Sequence, residues 1–150
     1  MAGLLKRIGE FHPESFGTSF LERLRVQKLV YLMQHAFGID LGYPYNWYIH
    51  GPYSPDLARD AFALVSEYDS VPAQRFKDVA LEEKFEAFKE FVKSHEQDYD
   101  WLAIAASLLY LYRNKSNDQT YIFRTLSAKG LPEIRFVEVW KHLEKWGLVS

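Results

Sequence analysis

Between Asn46 and Leu57 the chain reads NWYIHGPYSPDL. His50, Ser54 and Asp56 in this stretch are the residue types of a nucleophilic triad: a hydroxyl to attack, an imidazole to take its proton, a carboxylate to orient the ring. A triad is defined by geometry rather than by closeness along the chain. Ser54 followed by Pro55 and Asp56 also has a simpler reading as a helix start, with a hydroxyl cap, proline at the first helical position and an acid in the first turn. No Gly-x-Ser-x-Gly elbow accompanies the three residues. The histidines, His12, His35, His50, His95 and His142, have no partners at metal-ligand spacing and no His-Glu-x-x-His occurs. There is no cysteine, which removes thiolate metal sites, cysteine nucleophiles and disulfides and fits a reducing compartment. No glycine-rich phosphate loop is present. The expectation is a non-enzymatic protein with no catalytic residue, metal or cofactor.

Two binding chemistries remain. Tyr43, Tyr45, Trp47, Tyr48 and Tyr53 crowd one short region, and Tyr and Trp are enriched where one end of a side chain is apolar and the other wet. Some of these rings should pin the turn and others should present a contact surface. Formal net charge is −2, which argues against a strongly basic nucleic-acid binder. The charge is nonetheless uneven: residues 61–100 hold five Lys/Arg against ten Asp/Glu, and residues 101–150 hold seven against four. Those seven, Arg113, Lys115, Arg124, Lys129, Arg135, Lys141 and Lys145, could contact phosphates. DNA binding by the last third is therefore the alternative to protein binding.

These residues need elements to hold them. A chain of 150 residues is one ordinary domain, and at this length it buries roughly two-thirds of its unfolded surface. With 48% hydrophobic and 17% aromatic residues it is core-forming. A first helix is expected over residues 2–11, stopping before His12-Pro13. The next starts after Thr18 or Ser19 and runs to Gly38, with a core stripe of Val26, Leu29, Val30, Met33 and Phe37. A second stripe, Phe20, Leu24, Gln27, Tyr31 and Gln34, is partly polar, with Lys28 and His35 at its edge. Trp47 to His50 reads as a short strand ended by Gly51-Pro52. Ser54 then caps a helix with Leu57, Ala61, Leu64 and Val65 inside. After a loop at 69–79, a helix over 81–95 should bury Leu81, Phe85, Phe88 and Val92 with its glutamates in water. The run WLAIAASLLYLY is apolar nearly all round and should form a central helix. Asn117 or Asp118 caps another, ending at Gly130. Pro132 opens the last, which buries Phe136, Val137, Trp140 and Leu143 and stops at Gly147. The sum is a mainly α single domain over residues 1–150, with six or seven helices, a short β element and winged-helix character towards the end. No segment has the ~18 apolar residues of a spanning helix, and MAGLLKRIGEF lacks the apolar run of a signal peptide, so a cytoplasmic protein without membrane contact is expected.

Two segments in order resemble a known family. RVQKLVYLMQ, followed about a dozen residues later by NWYIHGPYSPDL, resembles the Panacea, or SocA-like, antitoxin domain and the related YwgA-type proteins. Gln27, Lys28, Leu29 and Tyr31 match the family's Q-K-L-hydrophobic-Y helix. Trp47, Gly51, Pro52, Ser54 and Pro55 match its aromatic strand, Gly-Pro and helix start. The likeness spans roughly residues 20–65, and residues 81–150 do not match the antitoxin pattern. It implies a small helical domain that binds protein, as antitoxins neutralise diverse toxins. Gln27, Lys28, Tyr31, Trp47, Tyr48, His50, Gly51, Pro52, Tyr53 and Ser54 are then the candidate partner-binding residues, and Gln27 and Lys28 are also candidates to brace the backbone around Gly51. The partner's identity stays open, as does the oligomeric state, with a homodimer one option.

Overall fold

The structure is a computed structural model, and it describes residues 1, 3, 4, 7, 12–67, 70 and 76–150. The helix expected over 2–11 lies mostly outside the described residues; Gly3, Leu4 and Arg7 within it are helical. A one-turn helix, α1 (Pro13–Phe16), leads into α2 (Phe20–His35). Ser19 starts α2 by accepting the Glu22 N–H at 3.1 Å, which satisfies one of the N–H groups that a helix start leaves open. Gly38, at φ 69°, reverses the chain after it.

An antiparallel hairpin follows, β1 (Asn46–Tyr48) and β2 (Gly51–Tyr53), pairing Asn46 with Tyr53, Trp47 with Pro52 and Tyr48 with Gly51. Gly51-Pro52 thus lies inside a second strand instead of ending the first, and the turn is Ile49-His50. The register explains this. In a two-residue hairpin the pair beside the turn exchanges hydrogen bonds and the next pair does not. Pro52 falls at that next position, where its missing N–H costs the ladder nothing.

Ser54 then caps α3 (Pro55–Leu64), accepting the Leu57 N–H at 3.4 Å, with Pro55 in its first turn. The helix expected from residue 81 begins earlier, as α4 (Val79–Val92), because Asp78 accepts the N–H groups of Ala80 and Leu81 at 2.8 and 3.2 Å. It ends at Val92, and Ser94 takes φ 71°. Phe91 joins Phe85, Phe88 and Val92 inside. Glu82 does not simply face water: it accepts the Phe76 N–H at 2.8 Å and pairs with Arg7.

The apolar run forms α5 (Tyr99–Asn114), capped by Asp98 and packed against α2 and β2 on one side. On the other it meets α6 (Gln119–Ala128) and α7 (Phe136–Lys145), which are joined by a 3-10 turn at Glu133–Arg135. Asp118 caps α6. Both α6 and α7 close with a left-handed glycine, Gly130 and Gly147, in the paired six-to-one and five-to-two bonds of a Schellman turn. In α7 the buried positions are Phe136, Val139, Trp140 and Leu143, which is i, i+3, i+4, i+7 spacing. Val137, expected inside, falls between the rows and is 50% exposed.

The main core gathers around α5 and takes in Leu29, Phe88, Trp101, Ile122 and Leu143. A smaller core of Phe16, Val26, Val30, Leu57, Ala61 and Leu64 lies between α2 and α3. Among the described residues no helix is long and apolar enough to cross a membrane.

Candidate functional site

Every residue of α2 from Leu24 to Met33 is buried, although the stretch contains Arg25, Gln27 and Lys28. An amphipathic helix buries one stripe; α2 is covered all round, so its polar side chains must find partners inside the protein. Gln27 does so with both ends of its amide. Its Nε2 donates to Ser54 O at 2.9 Å and its Oε1 accepts the Ser54 N–H at 2.9 Å. Gln34, seven residues on and on the same face, repeats the device with Tyr43, donating to its carbonyl at 3.0 Å and accepting its N–H at 3.1 Å. Two side-chain amides thus hold the peptides at both ends of the aromatic segment, and the Tyr45 hydroxyl donates back to Gln27 O at 3.0 Å.

Lys28 was expected at the edge of a stripe and is completely buried. Its Nζ donates to His50 O at 2.5 Å and to Pro52 O at 2.9 Å, and among the described residues it has no carboxylate partner. Burial, with the Lys129 ammonium as a second cause, lowers the Lys28 pKa to about 7. Gly51 closes against it from above. Its φ is 91°, and a Cβ there would stand 2.4 Å from Ser107 Oγ and 3.4 Å from Lys28 Nζ. Only glycine suits both the backbone angle and the approach of α5.

The other rings divide by role. Tyr31 is buried, stacked on His35 with centroids 4.7 Å apart and edge-on to Tyr45 at 5.1 Å; burial drives its hydroxyl pKa far up. Trp47 turns inward and stacks on Tyr110 at 5.4 Å, with Lys129 Nζ 4.9 Å from its ring. Lys129 also donates to Tyr48 O and Ile49 O at 3.0 and 3.1 Å. Lys28 within α2 and Lys129 just past the end of α6 therefore both hold the hairpin tip.

The outer face is apolar. Ile49 is 79% exposed, and Phe20 and Tyr48 are about half exposed. Beside them a groove of about 220 Å³ is lined by Phe20, Leu24, Tyr48, Ile49, His50 and Tyr53. His50 meets Phe20 edge-on at 5.2 Å, and Tyr53 meets Tyr48 at 5.6 Å. The ten residues singled out in the sequence thus come together, in two layers. Gln27, Lys28, Tyr31, Gly51, Pro52 and Ser54 are internal, Trp47 is half-buried against Tyr110, and Tyr48, His50 and Tyr53 reach the surface. Sequence reasoning missed Ile49, Phe20 as part of the surface, and Ser107. Gln34 carried a usable signal, its spacing of two helical turns from Gln27.

The triad types do not assemble. Ser54 is buried as a cap, Asp56 pairs with Arg59 at 2.5 Å, and no hydrogen bond joins His50, Ser54 and Asp56. The seven cations of the last third are also divided. Arg113 donates to His35 O, Lys129 holds the hairpin, and Arg135 makes a two-bond pair with Asp98 at 2.9 and 2.7 Å. Lys115, Arg124, Lys141 and Lys145 are exposed, and their side chains have no hydrogen-bond or ion-pair partner among the described residues.

The arrangement defines a mainly helical protein that presents a braced two-stranded hairpin with an apolar outer face. The chain matches no family model, no curated protein and no solved structure.

Proposed function

We propose that this is a non-enzymatic, cytoplasmic, protein-binding regulator resembling a toxin-neutralising antitoxin, and that its contact surface is the outer face of the hairpin with the adjoining start of α2. The observation that carries the reading is the exposure of Tyr48 and Ile49, on a hairpin whose backbone is fixed by buried side chains, beside Phe20 at the start of α2. Large apolar side chains gathered on a surface mark an interaction site more often than scattered single ones do. A rigid platform reduces the entropy lost when a partner docks. The resemblance of residues 20–65 to the Panacea domain points the same way, with Gln27, Lys28, Gly51 and Ser54 acting as supports and Tyr48, His50 and Tyr53 as contacts.

DNA binding by the last third is the weaker alternative, resting on the four unengaged cations Lys115, Arg124, Lys141 and Lys145. Affinity capture from nuclease-treated native lysate tests the preferred reading. The wild type is expected to retain one stoichiometric protein that a folded Tyr48→Ser, Ile49→Ser variant loses. Equal capture by both forms, together with a salt-sensitive shift of the protein's own promoter DNA, would favour the alternative.

A further inference from the structure

We propose that the groove beside the hairpin tip receives a peptide segment of the partner in which a large apolar side chain is flanked by carboxylates. This rests on the reading of the face as a protein-contact surface and adds the chemistry of what it contacts. The first argument is size. The groove holds about 220 Å³ between α2 and the hairpin, below the roughly 300–1,000 Å³ of small-molecule sites and without their convergent polar groups. It is the scale of one or two side chains entering as an anchor.

The second argument is the backbone. An extended peptide can add a strand to a sheet only where an edge offers free N–H and C=O groups. Here the carbonyls of His50 and Pro52 are taken by Lys28, those of Tyr48 and Ile49 by Lys129, and Pro52 has no N–H. These tip carbonyls are not free to pair with an added strand, and recognition at the tip passes through side chains.

The third argument is charge. Arg23 lies 5.7 Å from the Phe20 ring centroid and donates to the carbonyls of Phe16 and Gly17 at 3.1 and 3.2 Å. Lys129 at the tip is exposed and donates to the carbonyls of Tyr48 and Ile49. Among the described residues neither Arg23 nor Lys129 is ion-paired. The acid nearest to each in sequence is engaged elsewhere, Glu22 with Arg25 at 2.7 Å and Glu133 with the Ser127 hydroxyl. In a chain of net charge −2 this corner is a local excess of positive charge around an apolar groove. Carboxylates beside the anchor complement it and steer the approach. Anionic lipid or nucleic acid would share the charge preference. A concave, side-chain-sized groove suits an inserted anchor better than a flat headgroup layer, and the Tyr48 and Tyr53 rings meet edge-to-face at 70° instead of forming a stacking shelf.

The test selects a phage library of random dodecapeptides on the full chain and measures the winners by fluorescence anisotropy. The wild type, a Tyr48→Ser, Ile49→Ser variant and a Val79→Ser control on another exposed apolar position are compared after circular dichroism has confirmed their fold. We expect enrichment of peptides with Leu, Phe or Trp next to Asp or Glu. Binding should weaken at least about tenfold in the groove variant and not in the control. It should also weaken when the peptide acids become Asn and Gln, and fall with added salt. No enrichment, enrichment without acids, or binding indifferent to the groove variant would overturn the proposal. So would preferential binding of phosphatidylserine vesicles or random duplex DNA that the groove variant abolishes. If the variant loses its lysate partner while the library yields nothing, the contact surface stands and the acidic-anchor inference falls. If capture is also unchanged, both fall.

Discussion

Gly51 concentrates two constraints on one residue: a left-handed backbone angle and a neighbouring helix at its Cα. Gly51→Ala should destabilise by roughly 1–3 kcal/mol from the backbone angle alone, with a further loss from the 2.4 Å approach to Ser107 Oγ. Adding Ser107→Ala removes the hydroxyl clash but not the angle, so the double variant should recover part of the loss. Urea midpoints of the two single variants and the double variant measure that coupling; strict additivity would mean the two residues do not press on each other. Gln27 offers a second test. Gln27→Leu keeps the apolar stem but leaves the buried Ser54 N–H without its partner, at roughly 1–3 kcal/mol, while Ser54 C=O keeps its bond from the Ala58 N–H. A Gln27→Leu chain as stable as the wild type would show that the amide is not a brace.

Among the elements, helix starts were the most legible. Ser54 caps the helix the sequence assigns to it, and Ser19 and Asp118 are each one of the two caps offered for theirs, because capping is chemistry between neighbours in the chain. The central apolar helix was legible for a similar reason: a run with no polar face has nowhere to go but inside. What could not be read depends on contacts distant in sequence. Lys28, a candidate brace for the backbone around Gly51, does hold it on either side, but its complete burial could not be read before its acceptors, 22 and 24 residues away, were in place. Gly51-Pro52 reads as a breaker until the register sets Pro52 at a position that needs no N–H. The inner and outer layers of the candidate site were not separable in sequence either, since Trp47 is covered by the distant Tyr110 while Ile49 in the turn is left exposed.

Asp98 joins two elements: it caps α5 at the Trp101 N–H at 3.1 Å and holds Arg135, at the head of α7, by two bonds. Its pKa is lowered chiefly by the hydrogen bonds from Arg135. Asp98→Ala should lose about 1 kcal/mol of capping as well as the pair. Asp98→Asn, an equally good cap, should lose less, as thermal melts of the two variants would reveal. Equal losses would assign the whole effect to the charge.

For the whole molecule, the shifted groups set a pH profile. His35 and His95 are lowered mainly by burial, so each favours folding above the ordinary histidine value and loses that contribution as pH falls through its folded pKa. Lys28, lowered to about 7 from 10.5, resists protonation in the fold. Its contribution grows from about pH 7 towards 10.5. Tyr31 and Tyr45, raised by burial, act in the opposite sense, their contribution being full below about 10 and lost above it. Stability should therefore climb from acid through neutral pH and turn down above about pH 10, and Lys28→Met should flatten the climb between 7 and 10. Urea unfolding across that range reads both; an unchanged slope in the variant would mean that Lys28 is charged in the fold at neutral pH and above.

The central claim is a division of labour: the buried motif residues hold the hairpin, and its outer apolar face does the binding. The direct measurement is calorimetric binding of the captured partner to three chains, the wild type, Gln27→Leu, and Tyr48→Ser with Ile49→Ser, each with its unfolding midpoint taken alongside. The account predicts that the face variant keeps the wild-type midpoint and loses most of its affinity, while Gln27→Leu loses stability first and binds to the extent that it stays folded. A face variant that binds the partner as tightly as the wild type would contradict it.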